Sequence, residues 1–202
     1  MRVVLATNNS GKLRELQALL APLNFDVLPK SLFTQDEVAE TGSSFIDNAL
    51  LKARHAARAA GLPAIADDSG IEVVALNGAP GIYSARYAGP NATDADNLQQ
   101  LLTTLANVSD GQRAARYRAA LVFVRDADDT HPLICEAVWS GSITRVPQGE
   151  GGFGYDPVFW LPEYQLTAAQ LSAAEKNRVS HRAQALQQLL VALRRVGIIS
   201  GQ

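Results

Sequence analysis

Short apolar runs alternate with amphipathic stripes along this chain. Val3 to Ala6 predicts a strand, and Leu13, Leu16, Leu19 and Leu20 share one face of a helix predicted over Lys12 to Ala21 and stopped by Pro22. Phe25 to Leu28 predicts a second strand. Phe45 to Ala60 predicts an Ala-rich helix ended by Gly61-Leu62-Pro63, and the next strand leads into Ala66-Asp67-Asp68-Ser69-Gly70. A helix over Asp94 to Leu105 comes next. Two neighbouring strands, Tyr117 to Arg125 and Leu133 to Trp139, flank the turn Asp126-Ala127-Asp128-Asp129. Gly149 to Gly154 is a glycine-rich loop before a short strand, Val158 to Leu161. The last helix, His181 to Val196, takes Ser180 as its N-cap and turns Leu186, Leu189, Leu190 and Leu193 to the core. Strands alternating with helices predict an α/β protein with a partly antiparallel middle.

A chain of 202 residues can bury a core of its own, as one domain or as two closely fused lobes. The single cysteine, Cys135, excludes an internal disulfide and suits a reducing compartment. The first residues turn polar too early for a signal peptide, and no apolar run approaches the ~20 residues of a membrane helix. A cytoplasmic protein is expected. The net charge is -2, with no basic cluster of the kind that tracks a nucleic-acid backbone or an anionic lipid surface, so neither partner is expected.

Asp67 and Asp68 carry the strongest chemical signal. Adjacent carboxylates repel, and they are kept together where they hold a hard divalent cation or activate water. Asp, Ser and Gly are equally the residues of a polar turn. Thr7-Asn8-Asn9-Ser10-Gly11-Lys12 stands where the first strand gives way to the first helix, a place where free N–H groups and the helix dipole favour phosphate and Lys12 adds a full charge. It is no Walker A loop, since Leu13 stands where Ser or Thr should be. The capping preference of Asn and Ser accounts for the same residues. Lysine usage sharpens the picture: of eighteen Lys and Arg only four are Lys, and Lys12, Lys52 and Lys176 lie in or beside motifs.

Upstream, Glu40 could join the Asp67-Asp68 pair, or it could be a solvated acid before a helix. Gly149-Glu150-Gly151-Gly152-Phe153-Gly154-Tyr155-Asp156-Pro157 contains a G-x-G-x-x-G, but it leads into a strand rather than a helix, so it is not a dinucleotide loop. It better suits a flat ligand, with Phe153 or Tyr155 stacking and Asp156 accepting a ring N–H. Glu175 to Arg182 brings Lys176, His181 and Arg182 to the start of the last helix, where cations oppose the dipole and call for an anionic or carbonyl-bearing ligand.

Six motifs, Thr7 to Lys12, Glu40-Thr41-Gly42, Ala66 to Gly70, Gly81-Ile82-Tyr83-Ser84-Ala85-Arg86-Tyr87, Gly151 to Pro157 and Ser180-His181-Arg182, resemble the inosine triphosphate pyrophosphatase family, in order from about residue 3 to residue 195. The resemblance implies one nucleoside triphosphate pyrophosphatase domain over residues 1–202, with an elongated two-lobed α/β fold. A mixed central sheet would be flanked by helices, with the active site in a cleft between lobes. It implies Mg²⁺-dependent hydrolysis of ITP, dITP and XTP to the monophosphate and pyrophosphate by a homodimer. By the same resemblance Asp68 is the proton acceptor and holds Mg²⁺ with Glu40. Thr7, Asn8, Asn9, Ser10, Gly11, Lys12, Lys52 and Ser69 contact the phosphates, while Phe153, Gly154, Tyr155, Asp156, Lys176, His181 and Arg182 recognise the base. An aspartyl-phosphate phosphatase and a nucleotide sensor without turnover are the rival readings.

Overall fold

A computed structural model of the protein describes residues 1–21 and 25–199. Its elements run β1 (Arg2–Leu5), α1 (Ser10–Leu20), β2 (Asp26–Pro29), α2 (Phe45–Ala60), β3 (Ala64–Val73), α3 (Asp94–Thr104), β4 (Ala114–Val124), β5 (Leu133–Ile143), β6 (Phe159–Leu161), β7 (Leu166–Thr167), α4 (Ala173–Val179) and α5 (His181–Arg195). Among the described residues the strands form one mixed sheet in the order β2-β1-β3-β4-β5-β6-β7. β1 pairs in parallel with β2 and β3, and β6 pairs antiparallel with β5 and β7. The expected α/β class with a mixed sheet and flanking helices is what forms.

Local chemistry sets the helix ends. Asn9 caps α1 by accepting the Lys12 N–H, and Ser44 caps α2 by accepting the Asp47 N–H. Gly61 stops α2 in the left-handed region at φ 63°, where a side chain would be strained. The predicted stop of the first helix, Pro22, lies outside the described residues.

Contacts divide the chain into two compact units. The first comprises Met1–Asp68, Ala119–Ala137 and the chain from Arg182. Its core joins Val3, Leu5 and Ile65 of the sheet, Leu16 and Leu20 of α1, Leu121 and Phe123 of β4, and Leu186, Leu189 and Leu193 of α5. The second comprises Ser69–Arg118 and Val138–His181, with a core of Ile71, Leu101, Leu105, Tyr117, Trp139, Phe159 and Leu161.

Three expectations need correction. The acidic motif does not follow a strand; β3 runs unbroken through Asp67-Asp68-Ser69-Gly70, because each carboxylate finds a cation and tertiary pairing overrides turn propensity. Lys176 is not at the start of the last helix. It belongs to a separate short helix, α4, opened by a capping box between Ser172 and Glu175, and lies in that helix's last turn, where the dipole favours a cation. Finally, β5 continues to Ile143 and β7 pairs with β6, both beyond the predicted strands.

The Gly81–Arg86 segment is a 3-10 turn that clasps the strand just after the acids. The Ser84 hydroxyl donates to Gly81 O at 2.6 Å and accepts the Ile71 N–H at 2.9 Å. A Cβ on Gly70 would stand 2.4 Å from both Gly81 O and Ser84 Oγ, and the first of these is backbone that cannot swing away. Gly70→Ala is therefore expected to cost about 1–3 kcal/mol, the range for overpacking, read as a lower urea midpoint.

Candidate active site

In the first unit, two helices aim lysines at adjacent acids of β3. Lys12, in the first turn of α1, places Nζ 2.8 Å from Asp67 Oδ2. Lys52, midway along α2, places Nζ 2.5 Å from Asp68 Oδ1 and 3.0 Å from Glu40 Oε1. Glu40 thus reaches the site through a lysine shared with Asp68. On the far side of Asp67, Arg182 in the first turn of α5 donates to Asp67 Oδ2 at 3.4 Å and to Glu15 Oε2. The guanidinium is 2% exposed, so the first unit encloses an alternating chain of charges from Glu15 through Arg182 and Asp67 to Lys12.

Neighbouring acids acquire opposite acidities. Burial alone would raise Asp67, but the Arg182 guanidinium and the Lys12 ammonium outweigh it and hold that carboxyl well below the usual carboxylate range. Burial raises Asp68 above its ordinary 3.8, with Lys52 and Lys12 opposing and Glu40 assisting. Lys52 is pulled down by burial and lifted further by Asp68 and Glu40, so its net shift is upward and it keeps its charge at neutral pH. For Lys12 burial prevails over Asp67 and lowers the ammonium. Two adjacent carboxyls pushed apart in this way differ in chemistry: Asp67 is an anion paired with cations, and Asp68 is the more basic of the two.

The residues expected to contact phosphate, Thr7 to Lys12, lie around the start of α1. Thr7 Oγ1 accepts the Asn9 N–H at 3.2 Å, Asn8 Nδ2 donates to Glu37 Oε1 at 2.9 Å, Ser10 is exposed and Gly11 is buried. Ser69 follows the acids in β3, half-buried.

The second unit gathers the residues proposed for a base. Asp156 is buried and accepts from Lys176 Nζ at 2.5 Å and from the Phe153 N–H at 2.9 Å through Oδ2. The Lys176 ammonium lies 4.7 Å from the centroid of the Phe153 ring, a cation–π contact. The Gly154 N–H donates to Asp94 Oδ2 at 2.8 Å. His181 stacks on Tyr117 with ring centroids 4.6 Å apart and planes 4° from parallel. Of the two rings offered for stacking, Phe153 is half-buried, whereas Tyr155 is core, its hydroxyl donating to Ser84 O at 2.7 Å. Arg182, grouped with Lys176 by sequence, is instead engaged by Glu15 and Asp67.

Sequence reading passed over Glu15, Asn48 and Tyr117. Glu15 is three residues from Lys12, and Asn48 four before Lys52, so helical spacing could have found both. Asn48 is fully buried and its Oδ1 accepts the Gly42 N–H at 2.8 Å, which fixes the loop that carries Glu40. Nothing in the strand pattern distinguishes Tyr117 from a core aromatic.

The donor set fits a hard divalent cation that relies on its substrate. Asp68 Oδ2 is buried with no hydrogen-bond partner, and Glu40 stands on the same lysine. Among the described residues no three His, Cys, Asp or Glu converge as a cage. Mg²⁺ commonly takes one or two carboxylates and fills its remaining positions with water and phosphate oxygens.

Comparison with known proteins agrees with these motifs. Residues 3–192 match the Ham1 family. A dITP/XTP pyrophosphatase of Shigella flexneri is 57% identical over 96% of this chain and 98% of its own, and one of Vibrio cholerae is 54% identical over 95% and 96%. A solved HAM1 protein from Coxiella burnetii superposes with a TM-score of 0.88 at 49% identity, covering 96% of this chain and 99% of that one. A dITP/XTP pyrophosphatase structure from Mycobacterium abscessus gives 0.74 at 41%, covering 94% and 99%. The resemblance drawn from six separate motifs is borne out, and the chain belongs to the Ham1 family.

Proposed function

We propose that this protein hydrolyses dITP and XTP, and with them ITP, to the nucleoside monophosphate and pyrophosphate. It would thereby keep deaminated purine nucleotides out of DNA and RNA. The carrying observation is the cluster in which Asp68, a carboxyl of raised pKa with one unpartnered oxygen, stands against Lys52 beside Asp67 and Lys12. The near-full-length relatives named dITP/XTP pyrophosphatase support the same reading.

Water attacks the α-phosphorus, the bond from that phosphorus to the α,β-bridging oxygen breaks, and pyrophosphate departs. Asp68 takes the proton of the attacking water. Lys12 and Lys52 offset the charge that accumulates on the leaving pyrophosphate. Mg²⁺ held by Asp68 and Glu40 would screen the triphosphate and acidify water. On the base side, inosine and xanthosine present a 6-keto oxygen, for which Lys176 is a donor, whereas adenine presents an amino group. Mispairing of buried polar groups discriminates by about 10⁴. The same reading includes a homodimer and a cytoplasmic location; no described helix is long and apolar enough to cross a membrane.

The test is turnover of dITP, XTP and ITP beside dATP and dGTP, with pyrophosphate and orthophosphate assayed separately. Pyrophosphate from the deaminated purines, abolished by chelator and restored by Mg²⁺, is expected. Orthophosphate as the direct product would instead identify a phosphatase, and tight binding without turnover a sensor. Sedimentation velocity should give twice the 21.6 kDa chain mass.

A further inference from the structure

The ion pair of Asp156 and Lys176 has a third member that belongs to none of the motifs. Tyr117, on β4, donates its hydroxyl to Asp156 Oδ1 at 3.2 Å, while Asp156 Oδ2 receives Lys176 Nζ and the Phe153 N–H. Its ring lies flat on His181 and meets Phe159 edge-on at 4.6 Å and 61°, with Trp139 beyond at 6.4 Å. The loop bears directly on the same carboxylate, since a Cβ on Gly152 would stand 2.1 Å from Asp156 Oδ2. One buried side chain therefore braces Asp156 through its hydroxyl and His181 through its ring, and through Asp156 it bears on Lys176 and Phe153.

We infer that Tyr117 is a positioning residue for base selection. A carboxylate keeps one rotamer when both oxygens are engaged, and it then fixes the direction of Lys176 Nζ and the height of the Phe153 loop. Without the hydroxyl, Asp156 can rotate toward Lys176, and donor and ring lose their common frame. Misplacement of groups that touch only the base raises KM and leaves the phosphate chemistry alone. The inference rests on the function proposed above, with Phe153, Asp156, Lys176 and His181 facing the base.

Tyr117→Phe deletes one oxygen and retains every ring contact. The expected result is an approximately tenfold rise in KM for dITP, the scale of one hydrogen bond to a charged group, with kcat within about twofold. The ratio of kcat/KM for dITP over dATP falls correspondingly, while the inhibition constant of pyrophosphate, which reports the phosphate side alone, is unchanged. Binding of deoxyinosine measured by titration well below the melting temperature weakens about tenfold as well, which separates positioning from stability. Unchanged KM and unchanged nucleoside binding would overturn the inference. A parallel rise in KM for dITP and in the pyrophosphate constant would overturn it too, by making the effect a general loosening. Wild-type protein that releases no pyrophosphate from dITP would defeat the underlying function, an outcome read before any variant is compared.

Discussion

Asp68→Asn is expected to lower turnover of dITP by about 10²–10⁴-fold, the range for removing a general base, while the protein stays folded. The amide is nearly the size of the carboxylate and keeps an oxygen for Lys52 to donate to, so the lysine is not stranded. What is lost is the capacity to take a proton. Pyrophosphate release at saturating dITP is the measurement, and turnover within tenfold of wild type would remove Asp68 from that role. The pH profile supplies an independent check. Asp68 must be ionised to act, and burial holds it above its ordinary 3.8, so wild-type kcat/KM should fall on the acid side at a pH above that value. Asp67 cannot be responsible for such a limb, because Arg182 and Lys12 keep it ionised far below that pH. The acid limb should therefore disappear in Asp68→Asn.

Much of this site was legible because its chemistry is concentrated in unusual residues. Lysines are scarce, and three of the four pair with Asp67, Asp68 or Asp156; the fourth, Lys30, is also buried, with Nζ donating to Asp36 O at 2.8 Å. α2 was legible to the residue, since its apolar stripe, its Ser44 cap and its Gly61 stop agree. Less legible were features that exist only through tertiary pairing. Asp67-Asp68-Ser69-Gly70 has the composition of a turn and becomes strand once lysines from two helices reach it. The short helix around Lys176 was not predicted, its residues being placed at the start of the helix from His181, although Ser172 and Glu175 have the spacing of a capping box. Arg182 reads as a base contact from the cations at the start of the last helix and from the family resemblance, and its pairing with Glu15 and Asp67 exists only through tertiary packing. One step along a helix rotates a side chain by about 100°, so His181 and Arg182 reach different surroundings.

That displacement makes Arg182→Ala the second substitution with a large expected effect, and the effect is on stability. The guanidinium is almost completely buried between Asp67 and Glu15, and its truncation takes a cation away from the buried Asp67 carboxylate, which keeps its ion pair with Lys12. Removing one partner of a buried ion pair costs about 3–5 kcal/mol, far more than the pair adds over an apolar replacement, because the stranded charge keeps its desolvation cost. A urea unfolding curve should show this as a large fall in midpoint with little change in slope. The sign of its pH dependence follows from Asp67. A depressed carboxyl contributes stability above its unfolded value near 3.8, and the contribution is lost as pH falls through the folded value. Without Arg182 the folded value rises, so the gap between wild type and variant should be widest at neutral pH and should narrow as pH falls through the variant's raised Asp67 value, where that carboxyl becomes neutral in the variant but stays ionised in wild type. Arg182→Lys, which keeps a charge but cannot span Glu15 and Asp67 with a planar fork, should lie between the two. A variant as stable as wild type would mean that Arg182 is held in the interior for its substrate rather than for the fold.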